Sequence, residues 1–273
     1  MNPVEPPEGG RQGCPPGEAV AANCDVASAQ RRIAALEQAL LLSRQALEDF
    51  TSSVSHDLRA PLRHVGAYLK IVREDLGPGI DPSVSAHLTT ASDAAQLMGR
   101  QLDGLLELSR LGRTDLRYVD VDLSQLVDQV CTQAMPLDVA EPVRWQVAHP
   151  LPVVRGDMAM LGQMLLHLLG NAVKFSGMSA SPLVVVDSSV NGDGFCTLRI
   201  TDNGVGFDGR FKDRLFRVFQ RLHSNRQYPG LGDGLGIGLA FARLVVERHG
   251  GAIQIRGDMQ PGCELSLTLP LAQ

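Results

Sequence analysis

A chain of 273 residues has room for one or two domains and a sizeable core. Its formal net charge of -5 and pI near 5.8 argue against a general nucleic-acid or anionic-membrane binder. The cysteines Cys14, Cys24, Cys131, Cys196 and Cys263 show no CxxC spacing, so neither a zinc site nor a disulfide framework is indicated and a reducing cytosol fits best.

No apolar run approaches the ~20 residues needed to span a bilayer. The start of the chain lacks the basic end and apolar centre of a signal peptide. A soluble, cytoplasmic protein is expected, with no membrane span and no nucleic-acid partner.

Residues 1–26 are rich in Pro, Gly and Glu without periodicity and are expected to form a disordered tail. Over 27–49 the apolar residues Ile33, Leu36, Leu40 and Leu47 take coiled-coil spacing and run without a breaker into the next segment. Residues 50–114 read as a helical hairpin. Its first helix carries the stripe Phe50, Val54, Leu58, Val65, Leu69, Val72 and Leu76.

At about 100° per residue these side chains lie within roughly 60° of Val54, while His56 stands about 200° away. A histidine facing water with Asp57 beside it is a candidate nucleophile with an adjacent base; alone, it would read as an ordinary surface histidine. Pro61 falls on the stripe and is expected to kink the helix just after His56.

Breakers from Gly77 to Pro82 end that helix. The second helix presents Val84, Leu88, Ala91, Ala95, Met98, Leu102, Leu105, Leu106 and Leu108, and ends near Gly112. Two such helices cannot cover their own stripes, so a homodimer forming a four-helix bundle is the economical solution.

From 121 to 273 the texture becomes mixed α and β. A helix is expected over Asp157–Phe175 with Asp157 as N-cap. Strands over Leu183–Val190 and Phe195–Thr201 flank the turn Asn191-Gly192-Asp193-Gly194. A helix over Leu239–His249 is followed by a hairpin of Ala252–Arg256 and Glu264–Leu269. Helices on one face of an apparently antiparallel sheet give an α/β sandwich.

Three motifs in this region bear on chemistry. Asn171-Ala172-Val173-Lys174-Phe175 offers a neutral oxygen to a hard cation and a charge to phosphate. Asp202-Asn203-Gly204-Val205-Gly206 follows a strand, with a carboxylate able to accept from an exocyclic amine. Gly230-Leu231-Gly232-Asp233-Gly234-Leu235-Gly236-Ile237-Gly238 leads into a helix and frees backbone N–H groups for phosphate. Each alone is weak: caps, turns and linkers use the same residues.

Their order carries more. Together with Phe216-Arg217-Val218-Phe219 and the upstream SVSHDLRAPL, they resemble the phosphoacceptor box, N box, D-x-G-x-G box, F box and glycine lid of the two-component sensor histidine kinases, over roughly residues 45 to 270. SVSHDLRAPLR, VFQRLH with Tyr228, and ERHGG look most like the phytochrome-type branch.

The resemblance implies an ATP-dependent protein-histidine kinase that autophosphorylates His56, with Asp57 orienting the ring and taking its proton. It implies that Asn171 holds Mg²⁺, Lys174 neutralises phosphate, and Asp202 holds the adenine amine. Gly204 and Gly206 would allow close approach, Gly234, Gly236 and Gly238 would fold over the phosphates, and Arg221 would reach the terminal one. The phosphoryl group would pass to an aspartate of a response regulator receiver domain in trans. No sensor domain is recognised ahead of residue 27, so a separate sensor protein or the short tail would receive the stimulus, with the helix through His56 as conduit.

Three departures stand out. His167 occupies the place, one turn before Asn171, where many relatives carry an Asn; a tolerated substitution is the simpler reading. Ala60 stands where many carry a Thr or Asn that positions water, implying weak phosphatase activity. Residues 230–233 lengthen the lid, which would loosen nucleotide binding. A non-catalytic phosphotransfer or scaffold dimer with a degenerate ATP domain is the alternative, and a nucleotide-driven clamp ATPase ranks last.

Overall fold

The computed structural model describes residues 16–134, 143–220, 222, 234–257 and 262–272. The chain divides into two compact units, Met1–Ser53 and Val54–Gln273. Within the first, the described residues are helical and belong to α1 (Pro16–Leu76), with Ile33, Leu36 and Phe50 exposed. The helix begins at Pro16, so the tail expected over residues 1–26 is helical in its second part; proline is favoured at a helix start because its missing N–H has no intrahelical partner there. Leu40 and Leu47 of the expected seam have side chains outside the described set.

In the second unit α1 runs on to Leu76 with Pro61 inside it. The helix thus continues through the place of the expected kink, since proline removes one backbone donor while the surrounding turns carry on. The helix ends at Gly77, which takes a φ of +68° open to glycine. Asp81 caps α2 (Pro82–Leu111), accepting from the Ser83 N–H at 2.8 Å, with Pro82 in the first turn. Arg59 on α1 forms an ion pair with Asp103 on α2, tying the two arms of the hairpin.

The remainder is an α/β sandwich. β1 (Val119–Asp122) pairs antiparallel with β3 (Val153–Gly156), and α3 (Leu123–Ala134) lies between them in sequence. The main sheet has strand order β2-β4-β5-β7-β6, from β2 (Arg144–Val147), β4 (Leu183–Val190), β5 (Phe195–Asp202), β6 (Ile253–Arg256) and β7 (Cys263–Pro270). All neighbours are antiparallel except β2 with β4, so the sheet is mixed where an antiparallel one was expected. The exception is a four-residue edge strand, too short to show alternation.

The helices α4 (Met158–Ser176) and α6 (Gly238–Arg248) cover one face of this sheet, α3 packs on α4, and the single turn α5 (Lys212–Leu215) precedes α6 in the chain. Cys196, Leu198, Ile200 and Asp202 point alternately into the covered side from β5. Leu161, Met164, Leu165 and Leu169 of α4 meet them together with Phe241, Val245 and Val246 of α6. The β4–β5 hairpin turns at residues 191–194, where Gly194 takes a φ of +83°.

The passage from hairpin to sandwich is held by side chains from α6. Arg248 donates to the carbonyls of Leu111 and Thr114, the latter at 2.7 Å, and so caps the end of α2. Next to it His249, almost fully buried, accepts the Asp157 N–H at Nε2 (3.0 Å) and donates from Nδ1 to the Val245 carbonyl (2.7 Å). Asp157 in turn caps α4 through the N–H groups of Ala159 and Met160, and accepts from the Arg117 N–H at 3.0 Å.

Candidate nucleotide site

A cavity of about 320 Å³ opens where α4, the ends of β5 and β7, and the start of α6 converge. Asn171, Lys174, Asp202, Gly206, Gly234, Gly236 and Gly238 line it, so seven of the expected site residues are brought together. Its apolar wall, from Ile200, Phe207, Ile255, Leu265 and Leu168, is suited to a flat ring. These residues escaped the sequence reading because each looks like ordinary core. For Ile200, Ile255 and Leu265 the signal was only the side of the strand they occupy; Leu168 belongs to α4 and Phe207 to the loop after β5.

Among the described residues Asp202 is the one buried carboxylate on this wall. Burial pushes its pKa up to about 6, against the opposing hydrogen bonds from the backbone N–H groups of Gly204 and Cys263. Gly204 donates to its Oδ1 at 2.9 Å and fixes the carboxylate's direction. Gly204 itself does not line the cavity. A Cβ there would fall 2.4 Å from the Phe175 carbonyl oxygen, so its glycine is required by packing against α4, not by approach of a ligand.

The root of the glycine lid is locked to the F box. Phe219, with the left-handed φ of +64°, donates its N–H to the Gly236 carbonyl at 2.9 Å. Gly236 has a φ of +68°, and a Cβ on it would meet the Gln220 carbonyl oxygen at 2.7 Å. Gly236→Ala is therefore expected to weaken nucleotide binding about tenfold or more, because left-handed strain alone costs roughly 1–2 kcal/mol. Titration with a fluorescent nucleotide would measure it. An unchanged affinity would show that this lid geometry does not matter for binding.

Arg221 and residues 230–233, and with them the expected roles of Arg221 and of the lengthened lid, lie outside the described residues. A Cβ built on Gly234 would lie 3.1 Å from Lys174 Nζ, which places the ammonium against the lid.

Asn171 and His167 stand one turn apart on α4 and both line the cavity. His167 packs edge-on against Phe241, with ring centroids 4.9 Å apart. Its Nε2 is sealed from water without a hydrogen-bond partner, a condition that costs about 1–3 kcal/mol. Burial lowers its pKa, opposed by the charge of Glu107, so the ring is neutral at pH 7.

Among the described residues no three His, Cys, Asp or Glu side chains gather as a metal site. A divalent ion here would draw on one or two protein ligands and on phosphate oxygens, which is how Mg²⁺ is usually held. The amide oxygen of Asn171 fits that pattern; His167, one turn away, brings an unpartnered nitrogen to the same helix where an oxygen donor would match it more closely.

His56 and Asp57 lie outside the cavity lining, on the exposed face of α1. The His56 side chain is 82% exposed and its Nδ1 is 3.2 Å from Asp57 Oδ1. With Nδ1–H donating to Asp57, the lone pair sits on Nε2, which faces water as a nucleophile. From the hairpin's second helix Gly104 and Glu107 complete the cavity wall. Gly104 makes room for Ile237, whose Cδ1 lies 2.1 Å from where a Cβ would be. Neither was expected; a glycine inside a long amphipathic helix was the available signal.

Two family models match the chain. Residues 46–114 match the His Kinase A (phospho-acceptor) domain, and residues 156–273 match the histidine kinase-, DNA gyrase B-, and HSP90-like ATPase. Cyanobacterial phytochrome B of Nostoc sp. is 33% identical over 237 residues, covering 87% of this chain and 31% of the relative. Sensor protein KdpD of Escherichia coli is 29% identical over 255 residues, covering 90% of this chain and 27% of the relative. The chain thus spans about a third or less of these curated relatives.

Among solved structures, full-length ShkA in complex with AMPPNP superposes with a TM-score of 0.58 at 25% identity, covering 82% of this chain and 46% of that one. Among the described residues no helix is long and apolar enough to cross a membrane. With a phosphoacceptor helix carrying an exposed histidine and an ATPase fold carrying a ring-sized cavity, the chain belongs to the sensor histidine kinases.

Proposed function

We propose that this chain binds ATP in the cavity of the sandwich and transfers its terminal phosphoryl group to His56. The observation that carries the reading is the pairing of an exposed His56 with Asp57 on one element and the buried Asp202 cavity on another. ATP binding is supported by the ATPase family match and by the AMPPNP complex of ShkA.

In the transfer, His56 Nε2 attacks the terminal phosphorus in line. A P–N bond forms, the bond to the bridging oxygen breaks, ADP leaves, and the Nδ1 proton passes to Asp57. Lys174 neutralises phosphate charge and Asp202 accepts from the adenine amine. Mg²⁺, when bound, supplies charge neutralisation between the phosphates; Asn171 is positioned to hold it.

The phosphohistidine then serves an aspartate of a response regulator receiver domain. We also read the hairpin as half of a homodimeric bundle. Leu58, Val65, Val72, Leu76, Val84 and Met98 are exposed along its apolar stripes in the single chain, which is what an unpaired bundle half presents.

Incubation with γ-labelled ATP and Mg²⁺ tests the reading. Acid-labile label on the protein supports it. Nucleotide binding without label would favour a scaffold, and free phosphate without protein label an ATPase.

Ala60, half-buried four residues after His56, presents a methyl group that cannot orient water. Ala60→Thr is expected to speed dephosphorylation of the phosphorylated regulator by roughly tenfold or more. The rate of label loss from a regulator charged by this kinase would check it, and an unchanged rate would show that Ala60 does not set the phosphatase activity.

A further inference from the structure

Resting on the reading that a divalent ion accompanies the nucleotide, we propose that His167 is a protein ligand of that ion and turns the site's preference from Mg²⁺ toward Mn²⁺. Three independent features of α4 and its surroundings point there. His167 and Asn171 are four residues apart, so their side chains rise on the same helical face, and both line the cavity. One turn of helix thus offers a nitrogen and an amide oxygen side by side.

The second feature is the unsatisfied nitrogen. His167 Nε2 is buried and has no hydrogen-bond partner, although most buried polar atoms in native proteins have one. A nitrogen lone pair awaiting a ligand explains that state; a merely tolerated substitution does not. Its ring is also held in place. Phe241 packs against it, and Gly238 faces it so closely that a Cβ there would stand 3.3 Å from His167 Cβ and 3.4 Å from Nδ1. A fixed, neutral imidazole is the form that binds metal.

The third feature is the donor chemistry. Mg²⁺ favours all-oxygen octahedra and sheds water reluctantly, whereas the first-row divalent ions, Mn²⁺ the hardest among them, take an imidazole nitrogen more readily than Mg²⁺ does. Mn²⁺ accepts both an imidazole nitrogen and phosphate oxygens at octahedral geometry. Replacing an oxygen donor by imidazole at this position therefore moves selectivity along the series. Glu107, which acts on His167 from α2, adds negative charge on the same side without changing that order.

The test uses the full chain with ADP and either Mn²⁺ or Mg²⁺. Pulsed electron paramagnetic resonance of the Mn²⁺–ADP complex is expected to show nitrogen modulation from a directly bound imidazole. Growth on ¹⁵N-histidine should convert that modulation to the ¹⁵N pattern. In parallel, the ratio of ADP dissociation constants in Mg²⁺ and Mn²⁺ is expected to fall at least tenfold in His167→Asn, which still binds nucleotide but loses the modulation.

Nucleotide-bound Mn²⁺ without imidazole modulation in the wild-type protein would overturn the assignment, whatever the variant does. An unchanged ratio in a variant that still binds ADP would overturn the selectivity claim. If neither metal supports ADP binding, the nucleotide reading itself fails and this inference falls with it. Binding of ADP that is indifferent to metal would leave the nucleotide reading standing and refute the ligand role alone.

Discussion

His56→Gln protein is expected to bind nucleotide with unchanged affinity and yet take up no acid-labile label from γ-labelled ATP. The separation follows from the structure. His56 does not line the cavity, and its side chain is 82% exposed, so its replacement removes no packing and leaves the nucleotide wall intact. Glutamine has no nucleophilic nitrogen, so labelling should drop to background, not to a fraction.

Asp57→Asn gives the graded companion. An amide cannot take the Nδ1 proton, and losing a positioned base costs about 10²–10⁴ in rate. Phosphoamino-acid stability in acid and base, with filter-binding of nucleotide as the control, would check both. Persistence of acid-labile label in His56→Gln would place the phosphoacceptor elsewhere.

The second large effect concerns Asp202. Asp202→Asn is expected to weaken ADP binding more than about a hundredfold, since one face of the amide carries donors where the adenine amine also donates. The wild-type protein should show the same requirement through pH. Burial raises this carboxyl to about 6, so below that value it is protonated before the nucleotide arrives, and affinity is expected to fall up to tenfold per unit.

The same shift has a consequence for stability without ligand. A carboxyl whose pKa rises on folding stabilises the fold most when protonated. Its contribution is present below the unfolded value near 3.8 and is lost as pH rises through about 6. The change across that window is roughly 3 kcal/mol from this group alone. His167 works in the opposite sense: its lowered pKa removes stability as pH falls through its unfolded value of 6.5.

The difference between wild type and Asp202→Asn, measured by denaturant melts at pH 4.5 and 7.5, isolates the carboxyl. A difference that does not change with pH would show that Asp202 is not held in a desolvated site.

Much of this site could be read in one dimension because its residues are locally constrained. Asp157 precedes an apolar 3.6-residue pattern and caps α4 as expected. The turn at residues 191–194 sits between two alternating runs and joins β4 to β5. Asp202 and the lid glycines follow a strand and precede a helix, the context that gives such motifs meaning.

What escaped was non-local or short. The strands β1, β2 and β3 each have four residues, and their partners lie far along the chain or across a crossover. Leu123, Leu126, Val127, Val130 and Cys131 do carry the helical period of α3, a signal that was present but not used. The wall residues Gly104 and Glu107 come from another element altogether, and no spacing along the chain announces that they meet His167 and Ile237.

The helix α6 is a rod about 16 Å long, eleven residues from end to end. Its first residue, Gly238, borders the nucleotide cavity, and its last, Arg248, grips the carbonyls that finish α2. Between them Phe241, Ala242, Val245 and Val246 are fully enclosed by the core, so the rod has no room to bow. Backbone hydrogen bonds keep it from stretching. The floor of the cavity and the joint of the hairpin are thus opposite ends of a single stiff part, and neither can be displaced along its axis without moving the other.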